Sequence, residues 1–184
     1  MNILALSCED SKISKAIKVS LAGLAFAIII GLSALVRIPI PGTPIPATLQ
    51  TFALLTGAGL LSRFAAVQMI FWYLILGLVG APFFAGGSGL NHILGPSGGY
   101  LIGFALASVI IGFFDNKKIR GPSRLLIYLC ATIMIYPPGL IQLKYVTGAD
   151  WNQVITMGLV PFVIFDVIKA ISAFTCVSLA RKIH

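Results

Sequence analysis

Apolar residues in this chain gather in long runs instead of alternating with polar ones, and the runs are separated by short segments rich in Pro, Gly or charge. Six runs stand out, at about 19–36, 46–61, 64–81, 98–114, 125–144 and 161–180. A helix rises 1.5 Å per residue, so crossing the hydrocarbon core takes about 20 residues. Several runs are shorter than that, and their ends are expected to draw on the flanking loops. The pattern predicts an all-α integral membrane protein with six transmembrane helices in a compact bundle. Residues 1–184 would form one membrane domain, with a short cytoplasmic tail at about 1–16.

Composition agrees: 58% of residues are hydrophobic and 10% charged. A soluble domain of this size could not hide that much apolar surface. Charge then sets the orientation. Lys12, Lys15, Lys18, Arg63, Lys117, Lys118, Arg120, Arg124, Arg181 and Lys182, ten of the 13 basic residues, fall on one side of a six-span topology. Only Arg37 and Lys144 fall on the other, and Lys169 lies within a span. This bias predicts cytoplasmic amino and carboxyl termini. It also makes the net charge of +8 a signature of topology and not of nucleic-acid binding. Residues 1–11 lack the basic and apolar regions of a secretory signal.

The outer connections carry the unusual sequences. Arg37 to Pro46 holds four prolines and a glycine, which exclude helix and favour an extended segment leading into Thr48 and Gln50. Residues 81–100 combine aromatics with many glycines and no Lys or Arg, as suits a loop folding back into the bundle. Asp150 and Gln153 have the spacing of a capping box opening a short helix that Gly158 closes. Pro161 suits the first turn of the last span. In the first span, Gly23, Ala27 and Gly31 place a small residue at every fourth position. Such a ladder lets another helix approach closely, either within this bundle or from a docking partner.

Within the last span, Asp166 and Lys169 are the only charges between Pro161 and Ala180. Residues three apart share a helix face. Each charge costs roughly 2.5–3.5 kcal/mol to insert at mid-membrane, so the pair calls for a reason. They lie ~7 Å and ~12 Å below the outer start of the span, within reach of a ligand from outside. One reading is a structural ion pair. The other is a pair that divides a ligand's polar edge, the carboxylate accepting N–H groups and the ammonium donating to a carbonyl. A cyclic urea, an amide or a zwitterion would all satisfy it.

Four segments carry a family resemblance: Pro44 to Phe52, Gly77 to Gly87, Gly95 to Phe104 and Pro161 to Ala170. In that order they resemble the hallmark segments of the BioY family, the biotin-binding S components of energy-coupling factor (ECF) transporters. The resemblance implies the six-helix ECF S-component fold in the bacterial cytoplasmic membrane, with a biotin pocket near the outer surface. It implies that Asp166 and Lys169 bind the ureido ring, and that Gly86 and Gly87 line the pocket beside Phe84 and Tyr100. Thr48 and Gln50 are placed near it. Some relatives carry a third-loop arginine suited to biotin's carboxylate; here His92, Asn91, backbone N–H groups or Arg37 are the candidates. The family further implies a transmembrane coupling subunit and two cytoplasmic ATPases as partners, with Gly23, Ala27 and Gly31 as the docking face.

No phosphate-binding Gly-x-x-x-x-Gly-Lys-Ser/Thr loop occurs, so any ATP hydrolysis belongs to partner subunits. No cofactor is expected. Two alternatives remain: an S component for another vitamin, and a membrane enzyme using Asp166 and Lys169 as an acid–base pair. The enzyme needs further polar residues converging on the pair, but the chain has only five acidic residues. Four of them, Glu9, Asp10, Asp115 and Asp150, are expected in tails or loops.

Overall fold

A computed structural model describes residues 3–115 and 119–183, with side chains from Ile13 onward. Lys12, Lys117 and Lys118 of the charge pattern lie outside the described side chains. The helices are α1 (Ile3–Ser33), α2 (Gln50–Leu60), α3 (Arg63–Val79), α4 (Gly89–Ile93), α5 (Gly98–Phe114), α6 (Pro122–Ile133), α7 (Tyr136–Thr147), α8 (Trp151–Gly158) and α9 (Val163–Ile183). The six expected spans correspond to α1, α2, α3, α5, the α6–α7 pair and α9. Segments 13–33, 122–147 and 163–183 are long and apolar enough to cross a membrane by themselves. By contrast, α2 has 11 residues and α3 and α5 have 17 each.

The segment assigned to a tail at 1–16 is helical from Ile3, because nothing before Gly23 interrupts the first span's helix. Two expectations change. The fifth span is broken at Met134–Ile135, just ahead of Pro137 and Pro138, which lack the N–H groups that would continue α6. The last helix begins at Val163, after a turn holding Pro161, so Asp166 sits in its first turn. The capping box at Asp150 forms as expected, its carboxylate accepting from the Gln153 N–H at 2.8 Å.

The ladder on α1 faces inward. Gly23, Ala27 and Gly31 are buried, and α1 packs chiefly on α3. A Cβ on Gly23 would stand 3.0 Å from the Ala65 carbonyl oxygen, and one on Gly31 would run into the Phe83 ring. The small residues therefore allow close approach within the bundle. Of the two expectations for the ladder, this is the packing one: α3 and Phe83 lie against it.

Asp115 is also corrected: it is not a loop acid in solvent. It ends α5 with a buried side chain that accepts from Arg124 Nε at 2.8 Å, Arg181 Nη1 at 3.1 Å and the Tyr128 hydroxyl at 3.1 Å. Arg181 reaches on to the Gly59 carbonyl at the end of α2. One carboxylate thus ties together the ends of α2, α5, α6 and α9. Removing one member of such a buried cluster leaves an uncompensated charge, at a cost of about 3–5 kcal/mol. The extended and glycine-rich connections lie at the other end of the bundle, and that end holds the cavity.

Ala27, with no exposed surface, tests the packing of the ladder. Ala27→Leu is expected to destabilise the purified protein by about 1–3 kcal/mol through overpacking, read as a lowered thermal midpoint in detergent. An unchanged midpoint together with lost uptake would restore the docking assignment.

Candidate functional site

The sequence around the cavity explains how its walls are held. Residues 37–48 fold into a two-stranded ribbon, Arg37 opposite Thr48 and Ile38 opposite Ala47, which places Thr48 and Gln50 at the mouth of α2. Residues 84–87 form a tight hairpin with Phe84 and Gly87 exchanging backbone hydrogen bonds at 3.0 Å. Its two corner residues, Ala85 (φ 47°) and Gly86 (φ 109°), both have left-handed φ. The hairpin drives Phe84 fully into the bundle, against Tyr73 edge-on at 5.6 Å and over Gly77, where a Cβ would strike the ring.

Gln50 fixes this arrangement from α2. Its amide donates to the Tyr73 hydroxyl at 2.7 Å and the Phe83 carbonyl at 2.9 Å, and its oxygen accepts from Thr48 at 3.2 Å. Gln50 is thus fully engaged by the protein. It shapes the wall and has no free amide hydrogen to offer a ligand.

The floor belongs to α9. Asp166 Oδ1 accepts from Lys169 Nζ at 2.8 Å, and Oδ2 accepts from the Tyr136 hydroxyl at 2.6 Å. Asp166 is only 8% exposed, and it lies in the first turn of its helix, where the macrodipole favours a negative charge. Tyr136 reaches it because the proline break before α7 turns this residue inward. Tyr100 meets Tyr136 edge-on at 6.4 Å, and its own hydroxyl donates to the Gly158 carbonyl at 2.8 Å.

Above this floor lies a cavity with about 570 Å³ of atom-free space, counted to its open mouth. Thr48, Gln50, Phe84, His92, Tyr100, Asp166 and Lys169 all line it, with Phe104, Tyr136 and Phe162. Aromatic walls over a charged floor suit a molecule that is apolar through most of its length and polar at the deep end.

Three expected residues stand elsewhere. Gly86 faces the Arg37 guanidinium and forms the hairpin corner. Gly87 backs onto the His92 ring, where a Cβ would collide. Asn91 is exposed on α4. The two glycines therefore shape the wall without lining it. His92 stacks on Phe84 at 5.8 Å and lies 2.9 Å from Ser97 Oγ. Burial lowers its pKa below the usual histidine value, so near neutral pH it offers hydrogen bonding and not a charge. Sequence reasoning missed Tyr136 and Tyr73. The available signal was a tyrosine beside a Pro-Pro pair inside an apolar span.

The class is a membrane-embedded binding protein for a small, partly polar molecule. A profile of the BioY family matches residues 9–184. A probable biotin transporter of Pyrococcus horikoshii is 38% identical over 131 residues, covering 71% of this chain and 76% of the relative. A biotin transporter of Lactococcus lactis subsp. cremoris is 34% identical over 160 residues, 86% of each chain. A crystal structure of the S-component for biotin from an ECF-type ABC transporter superposes with a TM-score of 0.81 at 28% identity, covering 92% of this chain and 93% of that one. The chain belongs to the BioY family.

Tyr136→Phe removes one hydrogen bond to a charged acceptor, worth about 1.5–3 kcal/mol. The variant is expected to stay folded and to bind ligand roughly tenfold or more weakly by calorimetry. Unaltered affinity would show that Asp166 needs no such support.

Proposed function

We propose that this chain is the biotin-binding S component of an ECF-type vitamin transporter, capturing biotin at the outer face of the cytoplasmic membrane. The observation that carries the reading is the Asp166–Lys169 pair on the floor of an aromatic cavity, 2.8 Å apart and shielded from water. A cyclic urea presents N–H donors flanking one carbonyl acceptor. With Tyr136 holding Oδ2 of Asp166, Lys169 swings from Oδ1 toward the urea carbonyl, and Oδ1 accepts one of the urea N–H groups in its place. Both charges stay compensated throughout, which a neutral amide partner alone would not achieve.

Phe84, Tyr100, Phe104 and Phe162 would enclose the bicyclic body and the aliphatic tail. The tail's carboxylate would point to the rim. There His92 and Ser97 offer hydrogen bonds, and Arg37, beside the 84–87 hairpin, offers positive charge.

The basic cluster at the Asp115 end of the bundle supports cytoplasmic termini. A transmembrane coupling subunit and two cytoplasmic ATPases would drive release inward. Their contact would use surfaces other than the α1 ladder.

The test is calorimetry of purified protein against a panel of vitamins, with Asp166→Asn beside the wild type. Biotin is expected to bind tightest. The variant should lose more than about 1.5–3 kcal/mol, because Lys169 is left buried without its counter-charge. Preference for another vitamin, or equal biotin affinity in the variant, would reject the reading.

A further inference from the structure

A second and wider cavity opens on the outside of the bundle, in the seam between α6–α7 and α9. Its atom-free space is about 1350 Å³, counted to the open mouth. Leu129, Ile133, Leu140, Ile141, Val163 and Val167 form most of its wall. The hydroxyl of Thr132, which also borders it, is engaged by the Tyr128 carbonyl at 2.8 Å. The groove meets the inner site only at Tyr136 and Asp166, which border both. It therefore lies directly behind the hydrogen bond that holds the Asp166 carboxylate.

The outer end of this groove has a different chemistry. Trp151 borders it, and the Lys144 ammonium lies 5.1 Å from the centroid of the Trp151 ring while donating to the Ala149 carbonyl at 3.1 Å. Nearby Asp150 is engaged in capping α8. A tryptophan and a lysine at the membrane–water boundary, above an apolar groove, match a phosphate above an acyl chain. Within a bilayer, water has no partners in such a groove, whereas a hydrocarbon chain fills it without loss.

We propose that a phosphate-bearing lipid occupies this seam, one acyl chain in the groove and its anionic headgroup at Lys144. The chain forms the outer wall behind Tyr136 and Asp166, keeps water from their hydrogen bond and so raises the affinity of the inner site. The lipid site stands on its own geometry. The coupling to affinity rests on the reading of Asp166 as a ligand-binding residue.

The experiment takes delipidated full-length protein in detergent and titrates phosphatidylglycerol or a neutral diacylglycerol, counting adducts by native mass spectrometry. One phosphatidylglycerol is expected to bind at least tenfold more tightly than the diacylglycerol. Ile141→Trp and Val167→Trp, which fill the groove from opposite walls, should abolish the adduct. Lys144→Gln, at the surface, should erase the preference between the two lipids. A folded groove-filling variant that keeps its adduct, or a Lys144→Gln protein that keeps the preference, would overturn the site. If both tryptophan variants fail to fold, the Lys144→Gln result decides alone. Biotin calorimetry on the same samples reads the coupling: affinity should rise threefold or more when phosphatidylglycerol is restored. Equal affinity with and without lipid would overturn the coupling. Lipid binding without any biotin binding would instead reject the functional reading and leave the lipid site standing.

Discussion

A carboxylate held below the membrane surface needs partners at every moment, and Asp166 obtains them from two directions. Lys169 supplies the opposite charge from one turn along the same helix, and Tyr136 supplies a hydroxyl from across the bundle. Neither alone would suffice: an ion pair without further hydrogen bonds rarely recovers its desolvation cost, and a hydroxyl cannot balance a charge. Together they give each carboxylate oxygen a partner, and under the proposed function Lys169 is the one exchanged for ligand. The broken fifth span and the late start of α9 both serve this local demand, since each places one of the three groups.

The remainder of the bundle holds α9 in position. At its carboxyl end Arg181 joins the Asp115 cluster, which also ties down α2, α5 and α6. Near its amino end the 84–87 hairpin, pinned by Gln50 and Tyr73, contributes Phe84 and Ala85 to the wall of the cavity that Asp166 and Lys169 line. Three hydrogen-bonded networks, around Asp115, Asp166 and Gln50, thus sit within an apolar core that includes Leu54, Leu55, Met69 and Ile111. Apolar association between helices is weak in lipid, so these networks carry much of the specificity of packing.

What the sequence makes legible follows from the same energetics. Apolar runs long enough to cross hydrocarbon stand out in any chain, and Asp166 and Lys169 stand out because charges within such runs are costly. The capping box at Asp150 was legible for a local reason, its three-residue spacing. Features that need two distant segments were hidden. Asp115 looks like a loop acid until Arg124 and Arg181 are seen beside it, the latter 66 residues away. The ladder of Gly23, Ala27 and Gly31 announces close approach by a helix without saying that the helix is α3. Gly86 and Gly87 read as pocket glycines, whereas one provides a left-handed corner and the other clears space for His92. Tyr136 was hidden by the apparent continuity of its span, which the Pro-Pro pair breaks.

On the proposed function, the Asp166–Lys169 pair opens to take a cyclic urea between its members. The most direct measurement is a structure of the purified protein bound to biotin. It should place one ureido nitrogen within about 3.2 Å of Oδ1 of Asp166 and the ureido oxygen at a similar distance from the Lys169 ammonium, with Tyr136 still on Oδ2. Biotin bound elsewhere, with Lys169 still closed on Asp166, would contradict it.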